Sequence, residues 1–178
     1  GFATNDRMES MIKIWDLEQR AELHSIRGYP TEIRVVDITP DGRWGLTGDI
    51  RGAITIWDIE RGVERHAFRG HIWEAKSATF TPGGQHIVSI SNDRTIKVWD
   101  VQAVSSDQQA HRPDRTMLAV AITPDSRRAI AASSDRMIAV WDIERGDAPR
   151  RLEGHTAAVT AVRLTPDGQH LVSASADR

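Results

Sequence analysis

The amino-acid sequence predicts an all-β fold built from repeated four-stranded units, and three observations support that prediction. The dipeptide Trp-Asp recurs every 42 residues without insertion or deletion, at Trp15, Trp57, Trp99 and Trp141. The dipeptide Thr-Pro keeps the same step, at Thr39, Thr81, Thr123 and Thr165. Between these markers, apolar and polar residues alternate over short segments, which is the period of a half-buried strand.

One repeat shows the order of its strands. The segments 75–80 and 86–91 flank a Thr-Pro-Gly-Gly turn and predict the first two strands. A third strand is predicted over 95–100, after a second turn. The last strand of a unit has a weaker pattern, and 63–69 provides it for the preceding repeat. Four short antiparallel strands in 42 residues have the size of one blade of a β-propeller.

Columns of residues separated by 42 positions predict the core. The first strand contributes two columns, which are Val36, Ala78, Val120 and Val162, and then Ile38, Phe80, Ile122 and Leu164. The third strand contributes two more, which are Ile12, Ile54, Ile96 and Ile138, and then Ile14, Ile56, Val98 and Val140. Because paired columns are two positions apart, each pair lies on one face of its strand, and we expect that face to be buried.

The same repeats predict the domain organisation, with about four blades per chain. We expect a single propeller array over 1–178, with three continuous blades at about 31–69, 73–111 and 115–153. A further blade is split, with outer strands at about 11–27 and inner strands at about 157–176. Three arrangements would complete it: a four-bladed ring of one chain, an eight-bladed ring exchanged between two chains, or further blades of a longer protein or complex.

Composition and charge narrow the classes of function. With 23 basic and 25 acidic residues the formal net charge is −2, so we expect no overall attraction to nucleic acid. The absence of cysteine excludes disulfides and thiolate metal sites. No apolar run reaches the roughly 20 residues of a membrane-spanning helix, and the first residues lack the pattern of a secretory signal. We therefore expect a soluble, cytoplasmic protein without a membrane partner.

The repeats resemble the WD-repeat family, from about residue 5 to residue 178. The stretch 70–100 carries the resemblance best, with Gly70-His71, then Phe80-Thr81-Pro82-Gly83-Gly84, then Ser89 to Asp100. The even spacing is similar to that of bacterial and fungal arrays, which often follow a nucleotide-dependent signalling domain or a kinase domain. The resemblance implies a non-catalytic scaffold or sensor module for protein–protein interaction. The alternatives are a structural domain that assembles with itself as a homodimer, and a fragment of a larger signalling protein.

In this family four positions of a blade form a buried hydrogen-bond network, and the matching residues here are His71, Ser89, Asp93 and Trp99. A carboxylate on one ring nitrogen and a hydroxyl on the other would fix the imidazole tautomer. We interpret the set as structural and not as a nucleophilic triad, because Ser89 lies inside a predicted strand rather than on an exposed turn.

The other repeats keep this pattern to different degrees. One has Tyr29, Thr47, Arg51 and Trp57 at the four positions, and another has Pro113, Ala131, Asp135 and Trp141. We expect both of these networks to be broken. The last repeat keeps His155, Ser173 and Asp177.

We expect other proteins or peptides to bind on one rim of the propeller, formed by the loops before the first strand and between the second and third. Ile72 and Trp73 are the predicted anchors there, with packing against the neighbouring blade as the alternative for Trp73. Arg94, Arg136 and Arg178 share one position beside a turn and would bind acidic or phosphorylated segments, unless they are simply solvated. We expect no catalytic residue, cofactor or metal, because no phosphate loop, histidine pair at helical spacing or calcium loop is present.

Overall fold

The structure, a computed structural model, describes residues 10–103, 109–111, 116–143, 145 and 149–177. The strands in these residues are β1 (Ser10–Asp16), β2 (Ala21–Tyr29), β3 (Ile33–Ile38), β4 (Trp44–Asp49), β5 (Ile54–Asp58), β6 (Val63–Phe68), β7 (Ala75–Phe80), β8 (His86–Ser91), β9 (Ile96–Asp100), β10 (Gln109–His111), β11 (Met117–Ile122), β12 (Arg128–Ser133), β13 (Ile138–Asp142), β14 (Arg150–Leu152), β15 (Val159–Leu164) and β16 (Leu171–Ser175). No described segment forms a helix long and apolar enough to cross a membrane.

The strands form five antiparallel sheets. Three have four strands in chain order, which are β3 to β6, β7 to β10 and β11 to β14. The strands β1 and β2 form one separate two-stranded sheet, and β15 and β16 form another. The predicted all-β fold of four-stranded antiparallel units is therefore confirmed. Most predicted strand bounds lie within one or two residues of those observed.

The Thr-Pro turns join the first two strands of a sheet by a repeated set of hydrogen bonds. In the β3–β4 turn, the Thr39 carbonyl accepts a hydrogen bond from the Gly42 amide at 2.8 Å. The Asp41 carboxylate accepts one from the Arg43 amide at 3.0 Å. Gly42 has a φ of +70°, a conformation that L residues rarely adopt, which explains glycine at this point. The turn therefore brings β3 and β4 side by side as an antiparallel pair.

The core lies between consecutive sheets. Side chains of β4, β5 and β6 pack against β7, β8 and β9, with Leu46, Ile56, Phe80 and Trp99 at the centre. The next cluster joins β8 and β9 to the sheet β11 to β13, and the third joins β12 and β13 to β15. Each sheet is therefore stabilised mainly by its neighbours, as expected for stacked units that cannot bury their own faces.

The prediction that every member of the first-strand columns is buried is wrong for β3. Val36 is 73% exposed and Ile38 is 53% exposed, whereas Val120 and Val162 of the same column as Val36 are 3% and 0% exposed. The reason is that β7 packs on β3 and β4, β11 packs on β7 and β8, and β15 packs on β11 and β12. Among the described strands, no equivalent pair precedes β3, so its face remains uncovered.

Candidate functional site

The loop before β7 and the turn between β8 and β9 are joined by a hydrogen-bond network around His71. Its Nδ1 lies 3.0 Å from Oδ2 of Asp93, and its Nε2 lies 2.7 Å from the Ser89 hydroxyl. The Trp99 indole N–H donates to the same hydroxyl at 2.7 Å. The side chains of His71 and Asp93 are 0% and 3% exposed. The structure thus brings all four predicted network residues into contact.

Burial and charge set the protonation of this network. Burial lowers the pKa of His71 below 6.5, against the opposing effect of Asp93. Burial alone would raise the pKa of Asp93, but the Thr95 hydroxyl and the other donors lower it below 3.8. A neutral imidazole beside a carboxylate donates from Nδ1, so Nε2 accepts from the Ser89 hydroxyl. The Ser89 hydroxyl therefore donates its proton to Nε2 of His71, and its oxygen accepts from the Trp99 indole N–H.

Thr95 belongs to the same network, and the sequence reasoning missed it. Its hydroxyl donates to Oδ1 of Asp93 at 2.5 Å and lies 2.9 Å from Nδ1 of His71. Its amide also donates to Oδ1 of Asp93, at 2.8 Å. The sequence could have indicated this contact, because a Ser or Thr two positions after a turn aspartate commonly forms a local hydrogen bond with its carboxylate. Asp93 thereby fixes both the turn and the histidine loop.

In the first four-stranded sheet the four-residue network is broken, as expected, since the Tyr29 hydroxyl lies 3.1 Å from the Thr55 hydroxyl. Other polar contacts take its place. The Trp57 indole still donates to a hydroxyl, that of Thr47, at 2.9 Å. The missing turn carboxylate is supplied by Asp49, two positions earlier than Arg51, which accepts from the Thr31 hydroxyl at 2.6 Å. Asp49 also accepts from the amides of residues 51 and 53. It is only 3% exposed.

The third sheet and the β15–β16 hairpin differ again. In the third sheet Ala131 has no hydroxyl, and the Ser133 hydroxyl donates instead to the Asp135 carboxylate. Pro113 lies outside the described residues. In the hairpin, His155 lies 2.8 Å from the Ser173 hydroxyl and 2.8 Å from Asp177, as in the complete set. The side chains of His155 and Asp177 remain 26% and 19% exposed.

Ile72 and Trp73 lie on the rim next to the His71 network. Ile72 is 76% exposed and Trp73 is 62% exposed. Their backbone is nevertheless fixed, because the Ile72 amide donates to Asp93 at 3.1 Å and the Trp73 carbonyl accepts from the Ser91 hydroxyl at 2.9 Å. Two large apolar side chains thus project into solvent from an immobilised loop.

Arg94 and Arg136 occupy the turns between the second and third strands of their sheets and are both exposed. Their φ angles are +61° and +76°, in the left-handed region that favours glycine. The first four-stranded sheet has Gly52 at the equivalent position, with a φ of +81°. Within the described residues neither guanidinium has a carboxylate partner. The third predicted member, Arg178, lies outside them.

The opposite rim carries a cleft of about 590 Å³ beside Trp44, between the first two four-stranded sheets. The guanidinium carbons of Arg43 and Arg65 lie 4.9 and 4.2 Å from the Trp44 ring centroid. Trp44 also packs partly against the core. Its contact with two arginines was not visible in the sequence, because Arg65 is 21 positions away.

The first strands of four sheets, β3, β7, β11 and β15, together line a cavity of about 570 Å³. Asp37 on β3 accepts from the Thr79 hydroxyl on β7 at 2.8 Å and from the Phe80 amide at 2.9 Å. This pair of bonds fixes the first two of these strands side by side. Among the described residues, no group of three or more His, Asp or Glu side chains could hold a metal ion.

Comparison with known proteins gives the family. The sequence profile described as WD domain, G-beta repeat matches residues 62–100, 104–142 and 146–178, which together make up more than half of the chain. No curated protein matches the chain. Repeats of this kind generally bind other proteins and act as scaffolds, typically without catalysis. The matched repeats and the antiparallel four-stranded sheets agree, and the chain belongs to the WD-repeat family.

Proposed function

We propose that this chain is a non-catalytic scaffold that binds a protein or peptide on the rim carrying Ile72 and Trp73. The observation that carries the proposal is the exposure of these side chains, 76% and 62%, on a loop held by Asp93 and Ser91. An aromatic side chain on a fixed loop loses little conformational entropy on binding, so its burial contributes strongly to affinity.

The arginines support an acidic or phosphorylated partner segment. Arg94 lies in the turn that Asp93 joins to the Ile72 loop, so its guanidinium belongs to the same rim. Both arginines are exposed on this rim. Their forked donors fit carboxylate or phosphate groups.

The burial of Ser89 supports a non-catalytic role. Ser89, His71 and Asp93 have the residue types of a nucleophilic triad, but Ser89 is 0% exposed and its hydroxyl is shared by His71 and Trp99. A nucleophile must reach the substrate carbonyl. The set instead stabilises the turn and the loop from which the proposed binding residues project.

Affinity capture from a cell extract tests the rim. We expect the wild-type chain to capture a defined set of proteins. Trp73→Ala should lose these proteins, and Ile72→Ala should capture them in smaller amounts. Val63→Ala is the control, because Val63 is 50% exposed on the outer strand β6, away from the rim. If the wild-type chain and folded Trp73→Ala capture the same proteins in equal amounts, the proposal is contradicted.

The uncovered β3 face favours a second candidate function, self-association as a homodimer. Val36 and Ile38 leave an apolar patch on β3, whereas the residues at the position of Val36 are buried in every later sheet, at Ala78, Val120 and Val162. Adjacent exposed side chains of this kind mark an interaction surface. Sedimentation equilibrium tests this function, and we expect a species of twice the chain mass. A monomer at every concentration would rule out self-association and leave the rim proposal untouched.

A further inference from the structure

The first four-stranded sheet has a pocket at its rim end, where the second four-stranded sheet has the histidine network. Tyr29 and Arg51 stand here at the positions of His71 and Asp93, 42 residues earlier in the chain. The Asp93 side chain is 3% exposed, whereas Arg51 is exposed. A cavity of about 340 Å³ lies at this place, between β2 and the strands β5 and β6. The pocket therefore occurs where this repeat departs from its neighbour.

The inner wall of the pocket is buried and polar. Tyr29 is 9% exposed and Thr55 is 1% exposed, and their hydroxyls lie 3.1 Å apart. The Tyr29 ring packs edge to face on Trp57, with centroids 5.9 Å apart, so its hydroxyl is held in place. Because one hydroxyl of the pair donates to the other, the second keeps a proton that no contact in the described part of the chain uses. That proton can be donated to a ligand.

Three arginines line the same pocket and stand at its opening. They are Arg27 on β2, Arg51 in the turn after β4 and Arg69 directly after β6, and all three are exposed. Within the described ranges, no carboxylate lies within ion-pair distance of their guanidinium groups. Each guanidinium carries five N–H donors in a fixed fork. Three such groups around one small cavity indicate an anionic ligand.

Two carboxylates also line the pocket. The oxygens of Asp49 already accept from the Thr31 hydroxyl at 2.6 Å and from the amides of residues 51 and 53 at 2.9 and 2.8 Å. Glu64 is exposed, and its charge opposes an anion. Three arginines still exceed two carboxylates. A phosphate monoester matches the arginines better than a carboxylate does, because it carries a charge of about −1.5 to −2 and three acceptor oxygens.

We propose that this pocket binds the phosphate monoester of a phosphorylated side chain in the protein segment that docks on the rim. The choice of a protein segment rests on the function proposed above. The pocket is continuous with that rim, because a Cβ atom at Gly52, next to Arg51, would lie 2.5 Å from the Trp73 carbonyl oxygen. Arg69 is three residues before Ile72. A segment that covers Ile72 and Trp73 therefore passes the opening of the pocket.

Isothermal titration calorimetry with a capped phosphoserine, N-acetyl-phosphoserine amide, tests the pocket. We expect saturable one-to-one binding. Arg51→Gln and Arg69→Gln should each raise the dissociation constant about 3- to 20-fold, because each removes charge-assisted hydrogen bonds. Arg65→Gln is the matched control, since it removes the same charge from β6 while Arg65 stacks on Trp44 at the opposite rim. Glu64→Gln should lower the dissociation constant, because it removes the opposing charge.

The replaced side chains are all exposed, so these variants should keep the fold. No binding by the wild-type chain, or equal weakening by Arg65→Gln and Arg51→Gln, would overturn the proposal. Equal affinity for inorganic phosphate would contradict the assignment to a side chain, and equal affinity for a capped aspartate would contradict the assignment to phosphate.

The rim proposal and the pocket proposal can fail separately. Trp73→Ala should leave the phosphoserine titration unchanged, because Trp73 does not line the pocket. If Trp73→Ala loses capture of proteins from the extract but the wild-type chain does not bind phosphoserine, the rim proposal stands and the pocket proposal is wrong. If phosphoserine binds as expected but Trp73→Ala captures proteins normally, the pocket stands and the rim proposal is wrong.

Discussion

The imidazole of His71 shows how one buried polar residue can stabilise a sheet end without a net charge. Both ring nitrogens have partners, and Asp93 also accepts from the Ile72 and Thr95 amides. A buried donor without an acceptor costs more than a single hydrogen bond contributes. The network is therefore sensitive to loss of its carboxylate, which accepts from four donors: the His71 ring, the Ile72 amide, and the amide and hydroxyl of Thr95.

Replacing Asp93 with alanine tests that sensitivity. We expect Asp93→Ala to reduce the free energy of unfolding by about 2 to 4 kcal/mol, because the amides of Ile72 and Thr95 and the His71 ring lose their acceptor. The measurement is urea unfolding followed by tryptophan fluorescence. Asp125→Ala is the control, since that exposed carboxylate serves only the Thr123–Arg127 turn. A loss below about 0.5 kcal/mol for Asp93→Ala would show that the network contributes little.

The lowered pKa of His71 predicts a dependence of stability on pH. Because its pKa in the folded chain is below 6.5, the unfolded chain binds more protons here as the pH falls through 6.5. The free energy of unfolding should therefore decrease on acidification. The pKa of Asp93 is also lowered, from 3.8, so its contribution persists until far lower pH.

Urea unfolding between about pH 8 and pH 5 measures this effect. We expect the wild-type chain to lose stability more steeply over that range than His71→Asn, which has no titrating group at this position. The other histidines are the same in both proteins, so the difference in slope belongs to His71. Identical slopes would mean that the imidazole titrates as it does in water.

At the scale of the strand and its turns, the turn after β4 differs from its counterparts through close contact with the next sheet. A Cβ atom at Gly52 would lie 2.5 Å from the Trp73 carbonyl oxygen and 2.7 Å from Cβ of His71. The equivalent Arg94 and Arg136 show that the φ angle itself is tolerable for a side chain. Steric contact with the His71 loop is therefore the additional requirement at Gly52.

Two glycine substitutions separate these causes. Gly42→Ala should cost about 1 to 2 kcal/mol of unfolding free energy, since Gly42 has a φ of +70° but no atom within 4 Å of a new Cβ. Gly52→Ala should cost more, roughly 2 to 4 kcal/mol, because its Cβ must displace backbone as well. Thermal unfolding would report both. Equal losses would mean that the loop moves aside freely.

The strands were predictable because their signals are local. Alternation and turn residues defined β7 and β8 to the residue. The polar network of the first four-stranded sheet was not predictable, because Asp49 replaces the usual carboxylate from a different position and accepts from Thr31, just before the adjacent strand β3. Comparing positions 42 residues apart finds residues that the repeats share. It cannot find a carboxylate that lies at a different position of the strand in one repeat.

At the scale of the whole molecule, burial depends on neighbouring sheets more than on the residue itself. Val36 and Val120 have the same side chain in the same column, yet they are 73% and 3% exposed. The sequence pattern predicted both as core because it records the position within a sheet. What covers that position is a property of the array, and in a repeat protein the interfaces between units supply much of the stability.

Substituting these two valines distinguishes a free face from a docking face. In the dilute monomer, Val36→Asn should change the unfolding free energy by less than about 0.5 kcal/mol, because the side chain is already in water. In the dimer it should raise the dissociation constant at least about tenfold, because a buried amide without partners replaces an apolar contact.

Val120→Asn is the matched control for this experiment. It should lower the unfolding free energy of the monomer itself by about 2 to 4 kcal/mol, since Val120 is already packed between two sheets of the same chain. Sedimentation equilibrium combined with urea unfolding measures both quantities. If Val36→Asn leaves the dissociation constant unchanged, β3 is not the surface that the second copy covers, and any dimer must form elsewhere on the chain.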